Sequence, residues 1–381
     1  MKKLIAFCLG ACMMMSLFAC GAKEITAQYP LDKYDLAAYT QPYWTGNIVY
    51  QESVMIREEA DGSVPDIQLL YKADKILSVR SSDLQTEYQE GTDYTLVDGK
   101  LHVPEGSAMT RVTWEQYYPL EKTDKTMALN EAYGEGYIFF SEGSVLHEMQ
   151  IAVTYTHSDE YTGTVPAYKG DSLPKTTAKI ENNEPLRIVV FGDSISTGAN
   201  STSRSAVLPM AQSWFQMFES KLKTDKGMSS VSLYNPSVGG KLSDWGVEEA
   251  PTAVGHGFDL CVIGFGMNDG TKKIPAEDFR KNIEAIMDTA RAANPDCEFV
   301  LIATTLANPE AAKFAGNQAE YLPALLELEQ EGVVVMDMTT FHADLLARKR
   351  FFDMTGNNVN HPNDFLARGY AQVLWQTVVG Y

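Results

Sequence analysis

Leu186-Arg187-Ile188-Val189-Val190-Phe191-Gly192-Asp193-Ser194-Ile195-Ser196 joins an apolar run, consecutive from Ile188 to Phe191, to a turn of glycine, acid and hydroxyl residues. A strand with one wet face alternates apolar and polar residues. A run apolar at consecutive positions needs cover on both faces, as in a parallel sheet flanked by helices. The same short runs recur at Val231 to Tyr234, Leu260 to Phe265, Phe299 to Ala303 and Val333 to Met336. Segments of helical period lie between them. The clearest places Phe279, Ile283, Ile286, Met287 and Ala290 in one stripe along a helix. Residues 186–381 are therefore expected to form a three-layer α/β domain around a parallel sheet.

Upstream the period changes from 3.6 to 2. Met149, Ile151, Val153 and Tyr155 alternate with Gln150, Ala152, Thr154 and Thr156, the pattern of a strand with one buried face. Asp98-Gly99, between Tyr94 to Val97 and Leu101 to Val103, suits the positive φ angles of a type I′ hairpin. Further strands are expected around Ile48 to Ile56, Ile67 to Tyr71, Ile76 to Ser81, Arg111 to Tyr117 and Tyr137 to Phe140. Residues 25–168 thus read as an all-β domain, a sandwich or jelly roll. Tyr43, Trp44, Tyr117 and Tyr118 are expected mainly as packing residues, with sugar stacking the lesser alternative. The Lys/Thr/Asn/Pro-rich stretch 169–185 reads as a linker. Two domains suit 381 residues.

Lys2 and Lys3 precede an apolar run from Leu4 to Phe18, and Leu17-Phe18-Ala19-Cys20 then has the form of a bacterial lipoprotein signal. Residues 1–19 would be removed and Cys20 lipidated, leaving an extracytoplasmic chain anchored to a membrane at the cell surface. A plain signal peptide and a short membrane anchor are the alternatives, although the run is shorter than the ~20 residues of a span. Thirty-one Lys and Arg against 50 Asp and Glu give a net charge of −19 without any basic block, which argues against nucleic acid as a partner. Beyond Cys20 only Cys261 and Cys297 remain, too few for a disulfide framework. They can pair only if the fold brings them together.

Ligands of open parallel sheets bind beyond the carboxyl ends of the strands. The residues there are Gly192-Asp193-Ser194, Asn235-Pro236-Ser237-Val238-Gly239-Gly240, Gly266-Met267-Asn268-Asp269 and, before the last helical segment, Asn358-Val359-Asn360-His361-Pro362. With Ser, Gly, Asn and His in this order and context, residues 186–381 resemble the SGNH/GDSL hydrolases. The resemblance implies a flavodoxin-like fold and an esterase in which Ser194 is the nucleophile and His361 its base. It also implies an oxyanion hole made by the Ser194 and Gly240 backbone N–H groups and the Asn268 side-chain amide. The chemistry needs these types: a hydroxyl is a weak nucleophile until a base takes its proton, and the oxyanion that forms must meet fixed donors. Individually each residue has a plainer role, Ser194 as a helix cap, Gly239-Gly240 as a turn and Asn268 as a loop cap. His102, His147, His157, His256 and His342 lack such a setting.

The family commonly carries Asp three residues before its histidine, where this chain has Asn358. Asn358 or a backbone carbonyl would then orient His361 in a Ser-His dyad. Asp353 or Asp364 substituting for the missing acid, or loss of activity, are the alternatives. Gly264-Phe265-Gly266 does not extend to a dinucleotide-binding spacing, and no metal-ligand cluster or phosphate loop stands out, so no cofactor is expected. The two-domain lipoprotein layout resembles bacterial carbohydrate esterases, which implies an acetylated carbohydrate as substrate. No long Leu/Phe-rich lid segment accompanies the motifs. Ser201, Arg204, Trp245, Thr304, Thr305 and Asn308 are candidate lining residues, with Trp245 as a sugar platform. A non-catalytic glycan-binding lipoprotein and a lysophospholipid or thioester hydrolase are the competing readings.

Overall fold

A computed structural model describes residues 25–381; the expected signal segment and the Cys20 lipidation site lie outside the described residues. The N-terminal half holds β1 (Ile48–Met55), β2 (Lys75–Ser81), β3 (Glu87–Tyr88), β4 (Thr95–Val97), β5 (Lys100–His102), β6 (Thr126–Ala128), β7 (Tyr137–Phe139) and β8 (Gln150–Thr156). They form an antiparallel sheet of order β1-β8-β2-β3 and two hairpins, β4-β5 and β6-β7. The β4-β5 turn has φ of 49° at Asp98 and 77° at Gly99, the positive pair expected from that dipeptide. Ile67 to Tyr71 contributes only an isolated bridge, Ile67 to Leu101. Trp114–Tyr117 is a helical turn where a strand was expected. The cause is local: Thr113 and Gln116 form a reciprocal capping box that satisfies the backbone without a partner strand.

β8 shows why period 2 did not leave a wet face. Ile151, Val153 and Tyr155 enter an apolar core that runs continuously into the C-terminal half, yet Gln150, Ala152, Thr154 and Thr156 are buried as well. The Gln150 amide donates to the Phe352 and Thr355 carbonyls of the other domain at 2.9 and 3.1 Å. At Gln150 the polar face thus meets the other domain, while Thr154 Oγ1 accepts the Gln51 N–H of neighbouring β1, so these buried polar groups are hydrogen-bonded.

The C-terminal half contains β9 (Leu186–Gly192), β10 (Val231–Tyr234), β11 (Leu260–Gly264), β12 (Glu298–Ala303) and β13 (Val333–Asp337), all parallel, in the order β10-β9-β11-β12-β13. Alternate residues feed two cores. Ile188, Val190, Leu260, Val262, Val300 and Ile302 face helices Trp214–Asp225 and Asp364–Val378. Val189, Phe191, Cys261, Ile263, Phe299 and Leu301 face helices Ser243–Ala253 and Ala276–Ala293, the latter through the stripe expected from its sequence. This is the three-layer α/β arrangement, with its strand order reversing at β9. The segment 169–185 carries helix Pro174–Glu181, pinned where Glu298 accepts the Lys175 and Thr176 amides.

The two halves share buried polar links. Lys349 and Glu52, neither with any exposed side-chain surface, pair at 2.5 Å. Glu52 also accepts from Leu70 N–H and Tyr155 O–H. Arg368 is 2% exposed; its Nε donates to Tyr43 Oη at 2.8 Å and its guanidinium lies over the Tyr39, Tyr43 and Phe365 rings. Tyr43 and Tyr117 are buried, as packing residues are. Among the described residues no helix is long and apolar enough to cross a membrane.

Candidate active site

The site lies at the carboxyl ends of β9, β10 and β11, beside the reversal in strand order. β9 ends at Gly192, where a Cβ would sit 2.2 Å from the Gly264 carbonyl oxygen of β11. Only glycine permits that approach. The chain then turns tightly: Ala199 N–H donates to Ser194 O, Thr197 Oγ1 donates to the same carbonyl, and Val238 N–H donates to Gly192 O. Ser194 is held at the sheet edge with 8% of its surface exposed.

His361 arrives on the loop before helix Asp364–Val378. One side chain organises that loop: Asn357 Oδ1 accepts the N–H groups of Val359, Asn360 and His361. Asn363 caps the helix by accepting from Phe365 and Leu366 N–H. The imidazole Nε2 consequently stands 2.8 Å from Ser194 Oγ across 167 residues of sequence. Hydroxyl and base are within hydrogen-bonding reach, the requirement for transferring a serine proton.

The loops that carry the candidate oxyanion donors Gly240 and Asn268 run beside Ser194 and its neighbour Asp193. A Cβ at Gly239 would be 3.5 Å from that of Ser194, so the β10 loop passes close by. Gly240 has φ of 75°, but nothing lies within 4 Å of where its Cβ would be. Its glycine answers to backbone conformation. Asn268 Nδ2 donates to Lys241 O at 3.0 Å and has a 3.5 Å contact with Asp193 Oδ2, which fixes the amide next to the glycine turn. Burial, with the Asp269 charge adding to it, pushes the Asp193 carboxyl up to about 7.

The acid partner is where the expectations fail. Asn358, with φ of 69°, accepts from Tyr117 Oη at 3.1 Å and donates to Phe139 O at 2.9 Å. It ties the histidine loop to the β domain and does not orient His361. Asp353 accepts Met55 N–H and pairs with Arg350, while Asp364 accepts from Thr202. Neither replaces the acid. His361 Nδ1 instead faces Asn200 Oδ1 at 2.7 Å and Glu142 Oε2 at 3.1 Å. Asn200 belongs to the loop after Ser194 and could have been suspected from that position. Glu142 follows β7 in the other domain, in an ordinary Ser-Glu-Gly-Ser turn, and no motif marks it.

The lining candidates have other commitments. Asn308 is 1% exposed; its amide donates to Asn358 O and its oxygen accepts Glu310 N–H, so it shapes the loop and is withdrawn as a substrate contact. Trp245 is partly exposed; its ring packs against Phe191 and Phe265, and the Lys241 ammonium lies 5.1 Å from its centroid. Ser201 bonds Ser213 and Thr305 bonds Tyr370. His342 is fully buried and its ring pushed down to about 3 by desolvation. Cys261 and Cys297 lie buried with Sγ atoms 3.4 Å apart as free thiols. Among the described residues no group of three or more His, Cys, Asp or Glu could hold a metal ion.

Comparison with known proteins places the same segment in a family. The model of the GDSL-like Lipase/Acylhydrolase family matches residues 190–370. No curated protein matches the chain. Among solved structures, a two-domain esterase active on acetylated mannans, co-crystallised with mannopentaose, is similar at 20% identity and a TM-score of 0.44, over 55% of this chain and 54% of its own. The acetyl xylan esterase AlAXEase aligns at 20% identity and a TM-score of 0.40, covering 51% of this chain and 100% of its own. A lipase/acylhydrolase from Enterococcus faecalis aligns at 20% identity and a TM-score of 0.39, covering 50% and 93%. The aligned part thus spans just over half the length of the two-domain esterase.

Proposed function

We propose that this chain, whose residues 190–370 match the model of the GDSL-like lipase/acylhydrolase family, is an ester hydrolase that removes small acyl groups, acetyl above all, from a carbohydrate by covalent serine catalysis. Ser194 Oγ attacks the ester carbonyl while His361 Nε2 takes its proton. The negative charge that develops on the carbonyl oxygen is met by the Ser194 and Gly240 backbone N–H groups and the Asn268 amide, each worth ~3 kcal/mol of barrier. His361 returns the proton to the departing sugar hydroxyl. Water then repeats the sequence on the acyl-serine and frees the carboxylic acid.

The observation that carries this reading is the 2.8 Å contact between His361 Nε2 and Ser194 Oγ beside the glycine turn. The preference for a short acyl chain is supported by the lack of a Leu/Phe-rich lid segment near the motifs. The carbohydrate rests on the layout, a β domain joined to the hydrolase domain behind a lipoprotein-type leader of residues 1–19 followed by Cys20. In this reading lipid on Cys20 holds the enzyme outside the cytoplasm, at the cell surface, where polymeric glycans are met. The test is acetate release from acetylated manno- and xylo-oligosaccharides by the mature chain, beside octanoyl esters and a thioester. Faster turnover of the long-acyl substrates would replace the carbohydrate assignment with a lipid or thioester one. Sugar binding without turnover of any ester would favour a non-catalytic role.

A further inference from the structure

His361 has a partner that the hydrolase domain does not contain. We propose that Glu142, carried by the N-terminal β domain, is the carboxylate that positions His361 and balances its charge once the imidazole takes the serine proton, so that the active site is completed across the domain boundary. The proposal rests on the serine-esterase reading above.

Three features support it. First, the division of labour at Nδ1 is resolved by the hydrogen bonds around it. With Nε2 facing Ser194 as acceptor, the ring proton sits on Nδ1, where Asn200 Oδ1 at 2.7 Å and Glu142 Oε2 at 3.1 Å both accept. Asn200 cannot be turned around, because its Nδ2 already donates to Gly143 O at 2.9 Å and Gly356 O at 3.0 Å. Its oxygen therefore holds the tautomer, but an amide carries no charge. Glu142 supplies the charge.

Second, the carboxylate is aimed. Its other oxygen, Oε1, accepts from Asn357 Nδ2 at 3.0 Å, and Asn357 is the residue whose Oδ1 also organises the His361 loop. Asn200 grips the neighbouring Gly143 carbonyl. Two amides of the hydrolase domain thus fasten the Glu142-Gly143 turn. A surface carboxylate meeting a histidine by accident would have neither clamp.

Third, the pairing is felt electrostatically. Burial would push the Glu142 carboxyl up, but the hydrogen bond and charge of His361, with the Asn357 amide, bring it below the usual range. The side chain remains 55% exposed, so water screens the pair and the expected effect is smaller than that of a sequestered acid.

The experiment is steady-state hydrolysis of 4-nitrophenyl acetate by the full mature chain, with Glu142→Gln, Glu142→Asp and Glu142→Ala beside wild type and Ser194→Ala. Glu142→Gln keeps shape and hydrogen bonding but loses charge. It is expected to lower kcat about 10- to 100-fold at unchanged KM and melting temperature, less than the ~10⁴ seen where loss of a triad acid also spoils the tautomer. Glu142→Asp recovers part of kcat. Sodium formate, a small carboxylate, raises kcat of Glu142→Ala but not of wild type. Wild-type kcat in Glu142→Gln overturns the proposal, as does a loss confined to KM or melting temperature. In that case an inactive Ser194→Ala leaves the esterase assignment standing. Activity in Ser194→Ala removes the assignment itself.

Discussion

The loop 192–200 and the turn at Glu142 approach the same imidazole, and different forces hold them. The first is set by short-range backbone geometry: the Gly192 approach to Gly264, the turn through Thr197 and Ala199, and strands paired on both sides of β9. The second is set by docking. Glu142 reaches His361 because Gln150, Asn358 and Asn200 bond across the domain boundary, with the Lys349–Glu52 pair and Arg368 buried along it. The contrast teaches that serine placement belongs to one domain and histidine support to the pair of domains. Damage to the interface should therefore reach turnover without touching the nucleophile.

The largest expected effect breaks the first region outright. Ser194→Ala should lower kcat by a factor on the order of 10⁶ while melting as wild type does, measured by ester hydrolysis and calorimetry. The second region is tested at its buried pair. Lys349→Met strands the Glu52 charge and should cost about 3–5 kcal/mol in urea unfolding. Adding Glu52→Gln should restore much of that loss, and an additive double variant would mean the two groups do not act as a pair.

Two buried groups inside the hydrolase domain sharpen the comparison through pH. Asp193, raised to about 7, keeps a proton in the folded state that the unfolded chain releases near 3.8. Its contribution is greatest below about pH 4 and declines as pH rises to 7. His342, lowered to about 3 from 6.5, refuses a proton that the unfolded chain accepts, so its contribution declines as pH falls from 6.5 towards 3. Each span corresponds to roughly 4–5 kcal/mol, and over their common range the two slopes oppose. Asp193→Asn should expose the histidine slope as a loss of stability on acidification, read from melting temperatures between pH 4 and 7. An unchanged profile would show that Asp193 is not protonated in the fold.

The smallest effect concerns the residue that the motif spacing favoured and the geometry reassigned. Asn358→Ala forfeits the Tyr117 and Phe139 bonds and leaves a side chain at φ of 69°. A cost of about 2 kcal/mol in unfolding is expected, with kcat within a few-fold of wild type at a temperature where the variant is folded. A selective collapse of kcat at wild-type stability would return Asn358 to the histidine.

Much of the hydrolase domain was legible because local rules agree there. Runs apolar on both faces required a covered parallel sheet, and β9 to β13 form one. The stripe from Phe279 to Ala290 is buried as a helix face, and Ser194, Gly240, Asn268 and His361 follow their strands or precede their helix where ligands of such sheets bind. The β domain was less legible where a side-chain cap or a covering surface overrode period. Thr113 and Gln116 made a helical turn of an expected strand, and the polar face of β8 was buried by a domain whose position no local pattern encodes.

The amino-acid order alone was sufficient for the parallel sheet and the serine turn, because each depends on residues near one another or on a strand end, whereas His361 as base rested on the family resemblance of its motif. The acid beside His361 depended on tertiary structure. Glu142 stands 219 residues from that histidine, and a carboxylate acquires its electrostatic role from what lies within a few ångströms in space. That distance was decided by how the β domain docks, through buried polar and apolar contacts between residues far apart along the chain.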